Sequence, residues 1–321
     1  MKMELYPLVF EPILKDRIWG GIKLQSLLNK EIPTQTAGES WEISTVSGDV
    51  SVVANGIYAG YSINELISKY PEEILGTKVQ RLFGTVFPLL FKFLDAKEDL
   101  SIQVHPNDEL AKKRHNSFGK TEMWYVVQAD ENARIIVGFK EKSSPDEYLS
   151  HLENNTLTEI LKEIQVEQGD MFLLETGTIH AIGGGVVIAE IQQTSDITYR
   201  VYDWDRVDVY GNSRELHIDL ALDAINYNTV EAQKKYKKIQ NKSNPAVECS
   251  YFTTNFIPLD GNIQFKKEKE SFTVLMCTDG EFELIYNDLK LLFKKGKTVL
   301  IPAIISEFEL KGKASLLEIY L

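Results

Sequence analysis

The chain has 321 residues, 43% of them hydrophobic and 26% charged, ordinary proportions for a globular protein with one large or two modest cores. Its 35 Lys and Arg against 47 Asp and Glu leave a net charge of -12, which repels nucleic acid and anionic membranes over most of the surface and confines any anion site to a local positive pocket. Glu4, Glu11 and Asp16 interrupt the first apolar stretch, so neither a signal segment nor a membrane span is expected there, and two cysteines, Cys249 and Cys277, without metal-ligand spacing point to a cytoplasmic protein with free thiols.

Residues 6–10 read as a strand, and residues 36–44 and 49–56 alternate as half-buried strands between Gly-rich turns. Ser62-Ile-Asn-Glu65 spells a capping box, and Ile63, Leu66, Ile67 and Tyr70 follow at helical spacing until Pro71. Residues 88–105 predict two apolar strands joined by a polar loop. Lys92 interrupts the first of them, and an ammonium there needs either an acidic partner or an anionic ligand to offset its desolvation.

In Ser101-Ile-Gln-Val-His105 the two-residue period puts Ser101, Gln103 and His105 on one face and Ile102 and Val104 on the other. Glu122 opens a further run of β-formers, which predicts a second strand beside the first. An amide oxygen, an imidazole and a carboxylate are thereby aimed at one point. Lys120, two residues before Glu122, shares its face on a regular strand. His115 falls in a polar loop and has at most a place at the rim.

Ser144-Pro-Asp-Glu147 and Thr156-Leu-Thr-Glu159 each announce a short helix, the second with Leu157, Ile160, Leu161 and Ile164 on one apolar face. His151 is expected at the surface. Gly169 then opens an apolar strand, and Gly177 turns the chain just before His180, a fourth candidate ligand. His, Glu and an oxygen donor form a borderline-to-hard set, suited to zinc or another divalent ion of the first row.

Residues 186–206 read as β-rich and unusually polar, with Arg200 between Tyr199 and Val201 and with Asp196 facing the same way if the strand is regular. Ile218, Leu222 and Ile225 at helical spacing make His217 a helix residue, outside the ligand set. The basic run 233–242 reads as a solvated helix end or linker. From Ala246 the chain predicts a strand, a turn at Gly280, another strand, and then Gly296 five residues before Pro302, with no histidine anywhere.

The pattern of Gly169, Glu175, Gly177 and His180 resembles the second half of the cupin signature, a hairpin that carries a metal histidine inside a small β-barrel; Glu175 stands where cupins usually have Pro. A closer resemblance follows from IWGG at 18–21, GESWEIS at 38–44, PLLFKFLDAKEDLSIQVHPND at 88–108, GKTEMWYVV at 119–127, GTIHAIG at 177–183, SDITYRVYDWDR at 195–206 and RELHIDLALDAI at 214–225. In this order they resemble the mannose-6-phosphate isomerase (phosphomannose isomerase) family in its short bacterial form. The resemblance implies reversible isomerisation of mannose 6-phosphate and fructose 6-phosphate, with one zinc per chain held by Gln103, His105, Glu122 and His180. It also implies a phosphate pocket drawn from Lys92, Ser101, Lys120 and Arg200, and it makes Arg200, in its SD-x-x-x-R word, an active-site residue.

The expected architecture is mainly β: a cupin, jelly-roll-like barrel with short helices, followed by a degenerate metal-free cupin barrel. The expected bounds are 1–213 for the catalytic region, 214–245 for a helix and polar linker, and 246–321 for the second barrel. Moving a carbonyl between two carbons needs a base within hydrogen-bond reach and stabilisation of the developing oxyanion. Lys120, Arg200 and Asp196 are the catalytic candidates; Lys92 and Ser101 are the phosphate candidates. A sugar-phosphate-binding cupin without catalysis, a metal-dependent oxygenase and an isomerase of another phosphorylated aldose are the competing readings. The first has no use for Lys120 and Arg200 beside four ligands, and the second usually offers more histidines.

Overall fold

The computed structural model describes residues 5–207 and 210–321. Among these, the β-branched and aromatic runs of the first part pair into two antiparallel sheets. The larger has the strand order Ile13–Gly21, Ala37–Ile43, Leu89–Ala96, Val186–Gln193, Glu122–Ala129, Met171–Leu174, Gln233–Lys234. The smaller runs Tyr199–Tyr202, Ile102–Val104, His180–Ile182, Arg134–Phe139, Leu161–Gln165. Leu94, Trp124, Val126 and Ile188 of the first pack against Ile135, Val137 and Ile182 of the second, so the sheets face one another across a shared core.

The larger sheet is covered on its other face as well. Phe91, Phe93, Met123, Tyr125, Ala189 and Ile191 point away from the smaller sheet into a second core, which they share with the helices Ile63–Lys69, Pro71–Leu75 and Thr77–Phe83 and with C-terminal strands. Burial on both faces is why Leu89–Ala96 and Val186–Gln193 carry apolar residues on both sides of the strand, broken by Lys92 and Asp95 in the first and by Glu190, Gln192 and Gln193 in the second. It also corrects the half-buried strand expected near residue 40, since Ala37–Ile43 is buried at every position.

Two of the three predicted capping boxes form as spelled or nearly so. The Ser62 hydroxyl accepts from the Glu65 N–H while the Glu65 carboxylate accepts from the Ser62 N–H, and Ser144 accepts from the Glu147 N–H at the start of Pro145–Glu153. The third does not. The helix Leu157–Ile160 lasts four residues without a side-chain cap, Thr156 Oγ1 lies 2.8 Å from His151 Nδ1 instead, and Leu161–Gln165 is drawn into the smaller sheet beside Arg134–Phe139. His217 likewise precedes the helix Ile218–Leu222, which ends short of Ile225. Gln233–Lys234 is a short edge strand and residues 235–239 carry neither helix nor strand, so the basic run is a connector and not a helix end.

The C-terminal part is a third antiparallel sheet, built on three 14-residue strands, Thr253–Lys266, Thr273–Tyr286 and Glu307–Tyr320. Gly280, at φ 72°, sits just past a bulge between Cys277 and Asp279 and bends one continuous strand, where the sequence suggested a turn between two. The ladder runs from Asn244–Glu248 at one edge to Leu289–Lys294 at the other, with Thr298–Ile301 paired to Thr273–Tyr286, and no pairing among the described residues closes it. Phe256, Val274, Met276, Leu317 and Ile319 contribute to the same core as Phe91 and Ile191. Backbone bonds between Leu8 and Leu300, and from the Ala303 N–H to the Ile74 carbonyl, stitch this sheet to the N-terminal half. No helix among the described residues is long and apolar enough to cross a membrane.

Where the N-terminal segment meets the larger sheet, Lys30 is 3% exposed and its ammonium lies 2.6 Å from the Glu42 carboxylate, which also accepts from the Ser40 hydroxyl. Burial works against the charge of Lys30, so the pair stands only because each partner has the other. Lys30→Met should destabilise the fold by about 3–5 kcal/mol in denaturant unfolding, because it strands a buried carboxylate. Adding Glu42→Leu should recover most of that loss. A single variant as stable as the parent would contradict the pairing.

Candidate metal centre and active site

The candidate ligands come from both sheets. In the smaller one, His180 is in register with Gln103, and His105 follows directly on Ile102–Val104. Glu122 is the first residue of its strand in the larger sheet. The strands of Gln103 and Glu122 therefore do not lie side by side, as the sequence suggested; they face each other across the interior. His105 Nε2 is 3.5 Å from Glu122 Oε2 and His180 Nε2 is 3.4 Å from Glu122 Oε1, with all three side chains at most 2% exposed.

Backbone carbonyls orient both imidazoles. His105 Nδ1 donates to the Ile197 carbonyl at 2.9 Å and His180 Nδ1 to the Thr178 carbonyl at 2.8 Å. A carbonyl can only accept, so Nδ1 holds the proton and each Nε2 turns its lone pair to the centre. Burial keeps the rings neutral: it lowers His180 to about 4 and His105 well below the usual range. Burial also raises the Glu122 carboxyl, to about 7, against the pull of Lys120, and among the described residues Glu122 Oε1 has no hydrogen-bond partner. The Gln103 amide is 3.3 Å from His180 Nε2, and a half-turn of its terminal bond exchanges nitrogen for oxygen. Two neutral imidazoles, a carboxylate with a free oxygen and an amide form a donor set that can hold a divalent cation. The nearest cation of the chain already rests on two of the donors: Lys120 Nζ is 2.9 Å from His105 Nε2 and 2.5 Å from Glu122 Oε2.

Lys120 precedes the strand but shares the side of Glu122, as periodicity suggested. It opens into a cavity of about 410 Å³ that also receives Lys92, Ser101, Gln103, Asp196 and Arg200. Asp196 is exposed at the rim, three residues ahead of Tyr199–Tyr202, so the regular strand assumed for it is absent although it does share the cavity with Arg200. Lys92 has found an acidic partner: its ammonium is 3.1 Å from Glu190 and 5.0 Å from the Trp41 ring centre. Other cavity cations are similarly matched, Arg17 to Glu39 and Arg214 to Asp203. Arg200 differs. Among the described residues it has no carboxylate in ion-pair range; Nη1 donates to the Glu215 carbonyl at 2.8 Å and the buried Nε has no partner.

Glu190, Glu39 and Trp41 escaped the sequence reading. Glu190 carried the same signal as Lys92, an ionised residue inside an apolar run, and the two facing each other across adjacent strands satisfy one another. Trp124 Nε1 adds a bond to Glu190 at 3.0 Å. Although burial alone would raise it, Lys92 and Lys120 bring the Glu190 carboxyl down to about 2. A carboxyl held below its unfolded pKa stabilises the fold above that pKa and loses the contribution as pH falls toward the folded value. Unfolding free energy should therefore drop between roughly pH 4.5 and 2, the interval from the ordinary carboxylate value to the folded one. Glu190→Gln should flatten that part of the profile while lowering stability at neutral pH. An unaltered slope would show that Glu190 is not the titrating group.

Residues 8–135 match the family model for phosphomannose isomerase type I, catalytic domain, and residues 242–321 match that for the mannose-6-phosphate isomerase cupin domain. The chain is 37% identical to mannose-6-phosphate isomerase ManA of Bacillus subtilis, over 97% of this chain and 98% of that protein. It is 34% identical to the mannose-6-phosphate isomerase of Streptococcus mutans, over 95% of each. The crystal structure of the mannose 6-phosphate isomerase from Bacillus subtilis matches with a TM-score of 0.90 at 34% identity, covering 99% of this chain and 100% of that one. Gln103, His105, Lys120 and Glu122 lie inside the first matched region, whereas His180, Asp196 and Arg200 lie between the two and are covered by the full-length relatives. With similarity running from end to end in both sequence and structure, the chain belongs to the type I mannose-6-phosphate isomerase family.

Proposed function

We propose that this chain interconverts mannose 6-phosphate and fructose 6-phosphate as a zinc enzyme. The observation that carries the reading is the buried group of His105, Glu122 and His180, with Lys120 resting on two of its members and opening into the cavity that holds Arg200. Gln103, His105, Glu122 and His180 would hold the zinc, which when bound supplies a Lewis acid for the oxyanion that develops during enolisation. Glu122 is the one anionic ligand, so the ligand set leaves net positive charge at the centre.

Lys120 is the proton carrier in this reading. As the neutral amine, the form that a divalent ion held by the same donors would favour by repelling an ammonium, it takes the proton from C2 of the aldose, the C–H electron pair becomes the C1–C2 double bond, and the C1 oxygen gains a proton to give the enediol. Return of the proton to C1, with loss of the C2 hydroxyl proton, completes the ketose. Asp196, exposed at the rim of the cavity, exchanges hydroxyl protons with solvent in this reading. Arg200, without a carboxylate partner among the described residues, offers its charge to an anionic oxygen, and Ser101 offers a hydroxyl to the same cavity. The charge of Lys92 is already balanced by Glu190, so we assign it to shaping the phosphate pocket more than to neutralising the phosphate. Residues 1–213 would carry the chemistry, 214–245 the connection, and 246–321, without a histidine, a packing module.

The test is a coupled assay on mannose 6-phosphate with and without a chelator, beside elemental analysis. One zinc per chain is expected, with activity lost on its removal, and His105→Ala should lose metal and activity together. Lys120→Met should keep its zinc and lose roughly 10²-fold or more in kcat. A raised KM with kcat intact would instead make Lys120 a phosphate ligand and overturn its role in proton transfer.

A further inference from the structure

Lys120 lies in a span, residues 119–121, that belongs to neither the helix Asp108–His115 nor the strand Glu122–Ala129. Backbone bonds anchor it in part, from the Lys120 N–H to the Pro106 carbonyl at 3.3 Å and from the Gln193 N–H to the Thr121 carbonyl at 3.1 Å, and the N–H groups on either side of Lys120 are held by side chains. The Gly119 N–H donates to Asp108 Oδ1 at 2.8 Å and the Thr121 N–H donates to Gln193 Oε1 at 2.9 Å. Gln193 Nε2 donates in turn to the same Asp108 oxygen at 3.0 Å. The other Asp108 oxygen accepts from the Tyr251 hydroxyl at 2.6 Å.

One carboxylate thus gathers three donors from three places: the span itself, the Val186–Gln193 strand of the larger sheet, and the turn between Asn244–Glu248 and Thr253–Lys266 in the third sheet. Burial disfavours its charge, but the bonds from Tyr251, Gly119 and Gln193 hold the Asp108 carboxyl below the usual range, so the acceptor is ionised and its bonds are of the stronger, charge-assisted kind. The approach is tight as well. A Cβ on Gly119 would stand 2.7 Å from the Asp108 nitrogen, so the span is pressed against the start of the helix with no room for a side chain. Tyr251 itself does not line the cavity.

We propose that Tyr251 is a positioning residue for the isomerisation: through Asp108 it fixes the Gly119 and Thr121 peptides and hence the Lys120 amine between them, so that the histidine-free C-terminal sheet completes the active site. The inference rests on Lys120 being the proton carrier. Glu122 is held independently, by its ladder partners Leu174 and Gln192, so the metal site does not depend on Tyr251.

Tyr251→Phe removes one hydroxyl and leaves Asp108 its other two donors, so folding is not at stake. In the full-length zinc-loaded enzyme, Tyr251→Phe, Lys120→Met and the double variant should be compared for kcat, KM, zinc content and Tm. Tyr251→Phe should lower kcat roughly tenfold, the scale of a sub-ångström misplacement of a catalytic group, with KM for mannose 6-phosphate and zinc content unchanged. In the Lys120→Met background the same change should do nothing further, because the group it positions is gone. A Tyr251→Phe enzyme with parental kcat, or with a lowered Tm alone, would overturn the proposal while Lys120→Met still reports on the proton carrier. So would a kcat loss that persists undiminished in the double variant. Parental kcat in Lys120→Met would sink the reading of Lys120 and the proposal with it.

Discussion

Ionised side chains enclosed between two sheets govern this structure. Lys92, Glu190, Glu122 and Lys120 are each at most 6% exposed, and Glu39 is 8% exposed. A lone charge in such a place is strongly disfavoured, so each is sited against an opposite one, Lys92 on Glu190 and Lys120 on Glu122, with Arg17 on Glu39. The register of the larger sheet does this work. Because Trp41, Lys92, Glu190 and Trp124 are ladder neighbours in successive strands, their side chains form one row on its inner face. A one-residue slip of any strand would send its member of the row into the apolar core on the opposite face.

That row explains the chemistry available to the cavity. The charges that structure requires are already balanced within the protein, and what stays unbalanced is available for a ligand. Within the candidate site, the Arg200 Nε and the Glu122 oxygen that Lys120 does not reach are left without a hydrogen-bond partner among the described residues. The acidic chain as a whole repels a sugar phosphate, so a guanidinium in the cavity lining with no carboxylate in ion-pair range among the described residues concentrates attraction there.

Much of the site was legible in local pattern. Gln103, His105 and Ser101 share a face because a strand has a period of two, and Lys120 falls beside Glu122 for a similar reason. Two of the capping boxes were equally plain. What local pattern could not convey was which face of which sheet each strand would occupy: the partnership of Lys92 with Glu190 spans 98 positions of sequence and emerges only from strand order. Leu161–Gln165 shows the opposite failure, an apolar spacing compatible with a helix that the neighbouring strand claims instead. Asp108 closes one of the words that carry the family resemblance, but nothing in the sequence joined it to Gln193 or Tyr251, and their connection is purely three-dimensional.

The two imidazoles of the centre are oriented by peptide carbonyls, those of residues 178 and 197, and not by side chains. Every amino acid brings the same carbonyl. The tautomer of each ligand is thus inherited from the path of the main chain, and no exchange of residue at either position deletes the acceptor. Drift in sequence can rewrite the surroundings of His105 and His180 while their aim is preserved, as long as the loops that lead to those carbonyls keep their course. In this centre the choice of tautomer is set by main-chain geometry, which a substitution at residue 178 or 197 reaches only by moving the backbone.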